Sequence, residues 1–294
     1  MITSNGNFKH RHLKYLSGKK GISMSIGVRS SWQVMYSAIT CLVIRDIQKK
    51  FLNNVRSTRS FGFIWIFLTP LMHVAVWIFV RIALGRHADS ELPLPLFILL
   101  GVMPFMLFSN VLGKAPTQIV TDKALYMFRQ IKPIDTVIAM VITEALILIA
   151  SYLLILILFW WIDIKWTLYN PLMLFETFFA FTLFLFGIAF ILSVAGFFFL
   201  FIRRIITILS RILYLVSGVF IPANLVPEPL LTIMSYNPLF QCNELSRQAF
   251  SIAAPFQTAA SMPYLWFCAT VSLLLGLMAY IAFRQKIMIE IEEH

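Results

Sequence analysis

Long apolar runs alternate with short polar segments along most of this 294-residue chain. A membrane with a hydrocarbon core about 30 Å thick is crossed by a helix of roughly 20 apolar residues. Six runs of about that length carry few charges, and they lie at 60–84, 95–113, 136–161, 174–200, 205–223 and 263–283. The pattern therefore predicts an all-α polytopic membrane protein with six transmembrane helices.

The segment that precedes the first run is amphipathic rather than uniformly apolar. Between Trp32 and Phe51 the apolar residues recur at helical spacing, while Arg45, Asp46 and Lys49 fall on the other side of the helix. This pattern predicts a helix that lies along the inner membrane surface, with its basic end near anionic headgroups. Periodicity alone leaves two interpretations open, a simple membrane anchor and a lever that a cytoplasmic partner moves.

The basic residues orient the chain in the membrane. Hydrophobic residues make up 60% of the sequence and the mean hydropathy is +0.83, values too apolar for a soluble domain. All but four of the 24 Lys and Arg residues lie on one side of the predicted spans, the exceptions being Arg81, Arg86, Lys165 and Arg247. The positive-inside rule therefore places both termini in the cytoplasm. This topology also accounts for most of the net charge of +11, which argues against a nucleic-acid partner.

The topology divides the chain into four parts and leaves one long cytoplasmic loop. We predict a basic cytoplasmic N-terminus at 1–28, an amphipathic interface helix with its linker at 29–59, a six-helix transmembrane domain at 60–283 and a cytoplasmic C-terminal tail at 284–294. The loop at 114–136 is too polar to span, and we expect it to form a short cytoplasmic helix that stops at Pro133. It is either a solvated connector or a docking element for a soluble subunit.

Two of the predicted spans carry stripes of polar and aromatic residues. In the first span they are Trp65, Thr69, His73 and Trp77, and in the fifth they are Thr207, Arg211, Tyr214, Gly218 and Ile221. Aromatic faces and hydroxyl groups suit sugar rings, which stack on π systems and need hydrogen bonds. In a chain with 28 Phe, packing alone also produces such stripes, so both interpretations remain open.

Glu144 is the clearest ionisable residue inside a predicted span, at a depth of roughly 12 Å for 1.5 Å of rise per residue. A carboxylate without a partner is costly at that depth. We expect an intramembrane ion pair with an arginine, for which Arg211 is the candidate, or a protonated carboxyl group that lies against another helix.

A proline-rich segment, SGVFIPANLVPEPLLTIMSYNPLF, separates the fifth span from the sixth at 217–240. Its apolar parts predict two short helices, near 226–235 and 238–250, that re-enter the membrane from the periplasmic side without crossing it. Irregular backbone is tolerated at that depth only when it is buried in protein or faces a water-filled cavity. Glu244 and Arg247 are three residues apart, so we expect them to pair on one helical face.

Motifs for nucleotide hydrolysis and for metal binding are missing from the sequence. The glycine–lysine pairs at 18–19 and 113–114 are not followed by the Ser or Thr that a P-loop needs. The motifs HExxH and GxSxG are absent, and Cys41, Cys242 and Cys268 are too scattered to predict a disulfide or a metal site. We therefore expect no bound cofactor and no ATP hydrolysis by this chain.

Six stretches, taken in order, resemble the permease subunits of ABC transporters that export capsular polysaccharide, a branch of the ABC type-2 exporters. They are LVIRDIQKKF, FGFIWIFLTPLMH, LPLFILLGVMPFMLFSN, QIKPIDTVIA, ITEAL and NPLFQCNELSRQAF. The pieces most specific to this branch are KPIDT at 132–136 and NPL with ELSR within 237–247. The resemblance runs from about residue 38 to 283, and this chain departs from the pattern at Thr69, Arg203 and Arg204.

The resemblance implies a transport subunit, not an enzyme, that exports lipid-linked capsular polysaccharide across the bacterial inner membrane. It also implies a homodimer of permeases, with ATP and Mg held by a separate cytoplasmic ABC ATPase subunit. Periplasmic and outer-membrane polysaccharide export proteins would be further partners. The alternatives are a permease for O-antigen, teichoic acid or another glycolipid, and a membrane glycosyltransferase.

The same resemblance implies roles for individual residues. The substrate pathway would be lined by Trp65, His73, Trp77, Arg211, Tyr214, Phe220, Tyr236 and Asn237, the last two together with Phe220 lying near the exit. Glu244 and Arg247 would support the outer gate. Coupling to the ATPase would involve Arg45, Asp46, Arg129, Lys132, Pro133 and Asp135.

Overall fold

The regular secondary structure of the protein is helical throughout the part of the chain that the structure describes. A computed structural model describes residues 31–57, 64–83, 92–199, 201–219, 226–251 and 260–293. The helices are α1 (Ser31–Ser57), α2 (Ile64–Ala83), α3 (Leu94–Thr121), α4 (Pro133–Trp161), α5 (Pro171–Phe198), α6 (Ile202–Val216), α7 (Glu228–Ser235), α8 (Pro238–Gln248) and α9 (Met262–Glu293). The predicted all-α fold class is confirmed.

Five helices among the described residues are long and apolar enough to cross a membrane, namely α2, α3, α4, α5 and α9. The predicted span at 205–223 corresponds to α6, which has only 15 residues. At 1.5 Å per residue this helix is about 22 Å long, which is less than the thickness of the hydrocarbon core. Five of the six predicted spans are therefore found, and a sixth crossing stays a prediction.

The starts of several helices follow from prolines and short polar side chains. Proline occupies the first turn of α4, α5 and α8, where its missing N–H group costs no hydrogen bond. Asn170 caps α5 by accepting a hydrogen bond from the Met173 N–H at 3.0 Å. Asn237 does the same for α8, with the Leu239 N–H at 3.0 Å. These capped starts set the boundaries of the loops.

The loop between the second and third predicted spans differs from the prediction. Helix α3 continues to Thr121, a 3-10 turn follows at Lys123–Met127, and Pro133 begins α4 instead of ending a cytoplasmic helix. The predicted short α-helix is wrong because α3 passes through Pro116, whose backbone packs directly on Gly196 of α5. A Cβ atom on Gly196 would lie 2.3 Å from the Pro116 carbonyl oxygen, so only glycine allows this approach.

Helices α3 and α5 form the centre of the bundle. Helix α3 packs on α2, α4, α5, α6 and α8, while α5 packs most extensively on α9. In the most apolar stretch of α3, 78% of the residues are buried, against 17% in that of α2. Helix α2 therefore lies at the edge of the monomer, with most of its side chains turned away from the core.

Helix α9 extends beyond the predicted sixth span and continues to Glu293. The two helices predicted near 226–235 and 238–250 appear as α7 and α8. Their predicted re-entry into the membrane stays a prediction.

Candidate functional site

Three of the predicted pathway residues meet where α2 approaches α6. The His73 Nε2 atom and the Tyr214 hydroxyl lie 2.8 Å apart, within hydrogen-bond distance. The Trp77 ring stands edge-on to the Tyr214 ring, with the two centroids 5.9 Å apart. Phe105 of α3 backs the Tyr214 ring at a centroid distance of 3.9 Å. This cluster, His73, Trp77 and Tyr214, is half-buried and combines three aromatic rings, one of them an imidazole, with a hydroxyl group.

Trp65 does not join this cluster. It lines a separate cavity of 350 Å³ between α1, α2, α3 and α4, together with Lys50, Thr69 and Glu144. A four-residue step along an α-helix rotates by about 40°, so Trp65 and Trp77 point about 120° apart. The residues of the predicted stripe on α2 therefore lie in two different environments, Trp65 in this cavity and His73 with Trp77 in the aromatic cluster.

Three other polar residues of α6, Arg204, Thr207 and Arg211, are exposed, whereas Arg203 and Ser210 are half-buried. Thr207 and Arg211 lie one turn apart on the surface of the monomer, and Arg204 continues the same row towards the start of α6. Among the described residues, no ion pair is found for Arg211. The row ends at Tyr214, so that α6 carries a polar strip that leads to the aromatic cluster.

Glu144 is buried and has three polar partners, but Arg211 is not among them. Its carboxylate accepts hydrogen bonds from Lys50 Nζ at 2.8 Å and from Asn110 Nδ2 at 3.2 Å, and a third from Lys114. The prediction that Arg211 pairs with Glu144 is wrong. Helix α6, which carries Arg211, packs on α3 and α5, whereas Glu144 faces α1 and α3. Burial lowers the pKa of Lys50, although the nearby Glu144 carboxylate opposes that shift.

The lysine partners were missed because neither lies in a predicted span. Lys50 belongs to the amphipathic helix α1, 94 residues before Glu144, and Lys114 belongs to a segment assigned to the cytoplasmic loop. Only the packing of α1 on α4, and the continuation of α3 beyond its predicted end, bring these lysines to the carboxylate. The sequence did contain one indication of these ion pairs, namely a carboxylate deep in a predicted span and basic residues just outside the predicted spans.

Two of the predicted coupling residues on α1 are engaged within the chain. Arg45 Nη2 contacts Asp46 Oδ1 at 2.6 Å and Asp122 Oδ2 at 3.1 Å. Gln118 of α3 also donates to Asp122, at 2.6 Å. Asp122 is buried at the end of α3, so Arg45 fastens α1 to the bundle. Arg45 and Asp46 are therefore in a position to transmit a movement of α1.

The loop that begins α4 divides the other predicted coupling residues into two groups. Arg129 and Lys132 are exposed, whereas Pro133 and Asp135 are buried. The Asp135 carboxylate accepts a hydrogen bond from the Lys132 N–H at 2.9 Å and thereby caps α4. Pro133 and Asp135 thus shape the loop, whereas the side chains of Arg129 and Lys132 are accessible at its surface.

Sequence reasoning missed two apolar side chains in this loop. Met127 is 89% exposed and Phe128 is 64% exposed, immediately before Arg129. Beside them, the start of α1 and the loop enclose a groove of 420 Å³, which is lined by Trp32, Val34, Met35, Arg129, Gln130, Lys132, Ile134 and Asp135. Because the basic residues predict that this loop faces the cytoplasm, where it is a candidate docking element, we call these exposed loop residues and the groove the cytoplasmic docking surface. The sequence did contain an indication of this surface, because Met127 and Phe128 are two adjacent apolar residues in an otherwise basic loop.

Side chains of α8 hold the C-terminal end of α6. Asn243 donates to the Ser217 carbonyl at 2.9 Å, and Arg247 donates to those of Gly218 and Val219 at 2.9 and 3.0 Å. These bonds satisfy carbonyl groups that the helix itself leaves without partners. Gly218 has a φ of +68°, and a Cβ atom there would lie 2.7 Å from the Phe240 ring, so glycine is required.

The predicted pair of Glu244 and Arg247 forms within α8. Arg247 Nη1 contacts Glu244 Oε1 at 2.5 Å, and both side chains are buried. The Arg247 guanidinium also lies 3.6 Å from the centroid of the Phe97 ring. Arg247 therefore links α8, α3 and the end of α6, and its role at an outer gate stays a prediction.

The predicted exit residues have different surroundings. Tyr236 is exposed, and its carbonyl accepts a hydrogen bond from the Tyr264 hydroxyl at 2.9 Å. Asn237 is half-buried and caps α8. Phe220 lies outside the described residues. Of the two exit residues that the structure describes, Tyr236 is therefore the one with an exposed side chain.

Comparison with known proteins identifies the family to which this arrangement belongs. Residues 41–251 match the ABC-2 type transporter family, a range that begins within α1 and ends after α8. The chain belongs to the ABC-2 type transporter family. The predicted resemblance to ABC type-2 permeases is confirmed.

Individual relatives of this ABC-2 chain are named as a polysialic acid transport protein and as capsule polysaccharide export proteins. The polysialic acid transport protein KpsM of Escherichia coli is 28% identical over 252 residues, which cover 86% of this chain and 95% of KpsM. The capsule polysaccharide export inner-membrane protein CtrC of Neisseria meningitidis is 24% identical over 242 residues, covering 81% and 88%. BexB of Haemophilus influenzae, also a capsule polysaccharide export inner-membrane protein, is 25% identical over 229 residues, covering 76% and 82%.

Proposed function

We propose that this ABC-2 chain is the permease subunit of an ATP-driven transporter that exports lipid-linked capsular polysaccharide across the bacterial inner membrane. The observation that carries the proposal is the match of nearly the whole membrane region to three capsule export proteins from different organisms. Both termini face the cytoplasm in this proposal, as the distribution of Lys and Arg predicts.

The proposed pathway lies between two copies of the chain. Helix α2 is buried over only 17% of its most apolar stretch, and the neighbouring α6 exposes Arg204, Thr207 and Arg211. An arginine that faced lipid in the middle of α6 would be costly, so a water-filled cavity is the favourable surrounding. A second copy placed against α2 and α6 would enclose such a cavity, which supports a homodimer.

The cluster of His73, Trp77 and Tyr214 suits contact with sugar. Aromatic side chains bind the C–H faces of sugar rings, while the hydroxyl and imidazole groups are able to exchange hydrogen bonds with sugar hydroxyls. The cluster lies towards the outer end of the polar strip of α6. In the proposed transporter it contacts the glycan as the polymer leaves the membrane.

The cytoplasmic docking surface is the proposed contact with the ATPase. Exposed Met127 and Phe128 offer apolar anchors, and Arg129 with Lys132 supplies positive charge around them. A buried apolar centre inside a charged rim is the usual composition of a specific protein interface. Because the chain has no P-loop, ATP and Mg belong to that partner. Periplasmic and outer-membrane export proteins would receive the polymer.

The proposal is tested by deleting the gene and by reconstituting the protein. We expect deletion to abolish capsule at the cell surface and to leave polymer in the cytoplasm, and we expect the purified chain to form a stable complex with its cognate ATPase. Normal surface capsule together with no complex would refute the proposal. The glycolipid trapped in a stalled complex distinguishes a capsular glycan from O-antigen or teichoic acid, and sugar transfer without the ATPase would instead indicate a glycosyltransferase.

A further inference from the structure

Glu144 is shared by two lysines that belong to different parts of the fold. Lys50 lies on α1, whereas Lys114 lies on α3 in the centre of the bundle. The exposed fraction of the side chain is 2% for Glu144, 25% for Lys50 and 44% for Lys114. One buried carboxylate therefore has two cationic partners, and only one of them belongs to the bundle.

This arrangement changes the cost of separating α1 from the bundle. A buried carboxylate that loses its only cationic partner is strongly destabilised, because its charge then stays uncompensated in the low-dielectric interior. Glu144 would keep Lys114 and the Asn110 amide if Lys50 departed. The departing Lys50 already has access to water. Removal of α1 from Glu144 therefore leaves no buried charge without a partner.

The second contact between α1 and the bundle is built in the same way. Asp122 binds Arg45 of α1 at 3.1 Å and approaches Lys49 at 3.7 Å, but it also accepts a hydrogen bond from Gln118 of α3 at 2.6 Å. Each carboxylate thus has at least one partner on α1 and at least one partner on α3. The apolar contact of α1 is formed by buried Leu42 and Val43 against Ala139 of α4, with Ile39, Ile47 and partly buried residues of α4 and the preceding loop around them.

We propose that α1 is a detachable latch, which releases Glu144 and Asp122 during transport while Lys114 and Gln118 hold these carboxylates in place. The start of α1 lines the cytoplasmic docking surface, so a partner bound there is able to pull on the helix. The involvement of the ATPase rests on the proposed function, whereas the latch itself is a property of this chain. Lys114 is a positioning residue in this scheme.

The first experiment measures thermal unfolding of the purified permease with lysines replaced singly and together. We expect Lys50→Met and Lys114→Met each to lower Tm by less than about 3 °C, because the other lysine remains. The double variant should lower Tm by roughly 8 °C or more, because Glu144 loses both cations. Lys49→Met is the matched control on α1, and combining it with Lys114→Met should give only the sum of small effects. Additive losses in the Lys50 and Lys114 cycle would overturn the proposal.

The second experiment follows hydrogen exchange of α1 amides in the complex with the ATPase, with and without ATP. We expect exchange around residues 41–51 to rise at least about threefold with ATP in the natural protein. Lys114→Met should suppress that rise, because Glu144 then depends on Lys50, and it should reduce transport per ATP hydrolysed. Transport that proceeds with no change in α1 exchange would overturn the latch but not the proposed function. Failure of the ATPase to bind would instead refute the proposed function, while the unfolding cycle still decides on the shared carboxylate.

Discussion

The junction of α1, α3 and α4 buries its charged groups, whereas the face formed by α2 and α6 leaves polar groups half-buried or exposed. At the junction, Glu144 and Asp122 are buried and each has several partners. On the α2–α6 face, His73 and Tyr214 are half-buried and lie within hydrogen-bond distance of each other, and Arg211 is exposed. Buried charges must be satisfied within the fold, whereas exposed groups at membrane depth need water or a ligand. The comparison separates groups that hold the helices together from groups that are available to cargo.

The largest expected effect on the free energy of unfolding comes from removing a buried charge. Arg247 of α8 is such a charge, since it is buried with its partner Glu244 as the charges of the junction are buried with theirs. Arg247→Ala should lower the free energy of unfolding by about 3–5 kcal/mol, because Glu244 stays buried without its cation and the end of α6 loses two donors. Arg211→Ala is the matched control and should change that free energy by less than about 0.5 kcal/mol. Denaturant unfolding of the purified permease measures both. Equal losses for the two arginines would contradict the distinction between the two regions.

The turn that ends α6 is expected to be the next most sensitive position. Gly218→Ala should cost about 1–3 kcal/mol of folding free energy, because φ is positive and the new methyl group would meet the Phe240 ring. Gly113 is a suitable control, since a Cβ atom there has no heavy atom within 4 Å. Unfolding midpoints compare the two variants. A Gly218→Ala protein as stable as Gly113→Ala would argue against the close contact with α8.

The loop before α4 allows structure and coupling to be separated in neighbouring residues. Asp135→Ala should lower the free energy of unfolding by about 1–2 kcal/mol, because α4 loses its cap. Lys132→Glu should leave stability within about 0.5 kcal/mol but reduce the stimulation of the ATPase by the permease. Unfolding curves and ATPase rates of the reconstituted complex test the pair. Unchanged stimulation in the Lys132→Glu complex would count against the cytoplasmic docking surface.

The smallest effect on stability is expected on the α2–α6 face, where the consequence should appear in transport. Trp77→Ala and Tyr214→Phe should each lower export about 2–10-fold, because one aromatic or hydroxyl contact is worth roughly 0.5–1.5 kcal/mol. Trp160→Ala, which removes an exposed ring from the end of α4, should leave export unchanged. Capsule at the cell surface, normalised to permease abundance, is the measurement. Normal export in both cluster variants would argue against contact with sugar.

Local patterns in the sequence were sufficient for much of the fold. Runs of apolar residues located α2, α3, α4, α5 and α9, because a membrane imposes both length and composition on a spanning helix. The pair of Glu244 and Arg247 was also predictable, since a spacing of three residues brings two side chains together within one helix. The helix boundaries near Pro116 and Pro133 were less predictable, because proline is tolerated both inside a packed helix and at its first turn.

The partners of the buried polar groups could not be predicted in this way, because they are far apart in sequence and a local pattern covers only neighbouring residues. The sequence alone established a helical membrane protein and its lack of a nucleotide-binding motif, since these follow from composition and from short motifs, and its basic residues predict an orientation. The assembled fold was needed to show that Glu144 meets Lys50 and Lys114, that Trp65 parts from His73 and Trp77, and that α8 caps α6. Each of these contacts depends on how whole helices pack and rotate against one another, and hydrophobic periodicity constrains neither the neighbour nor the register.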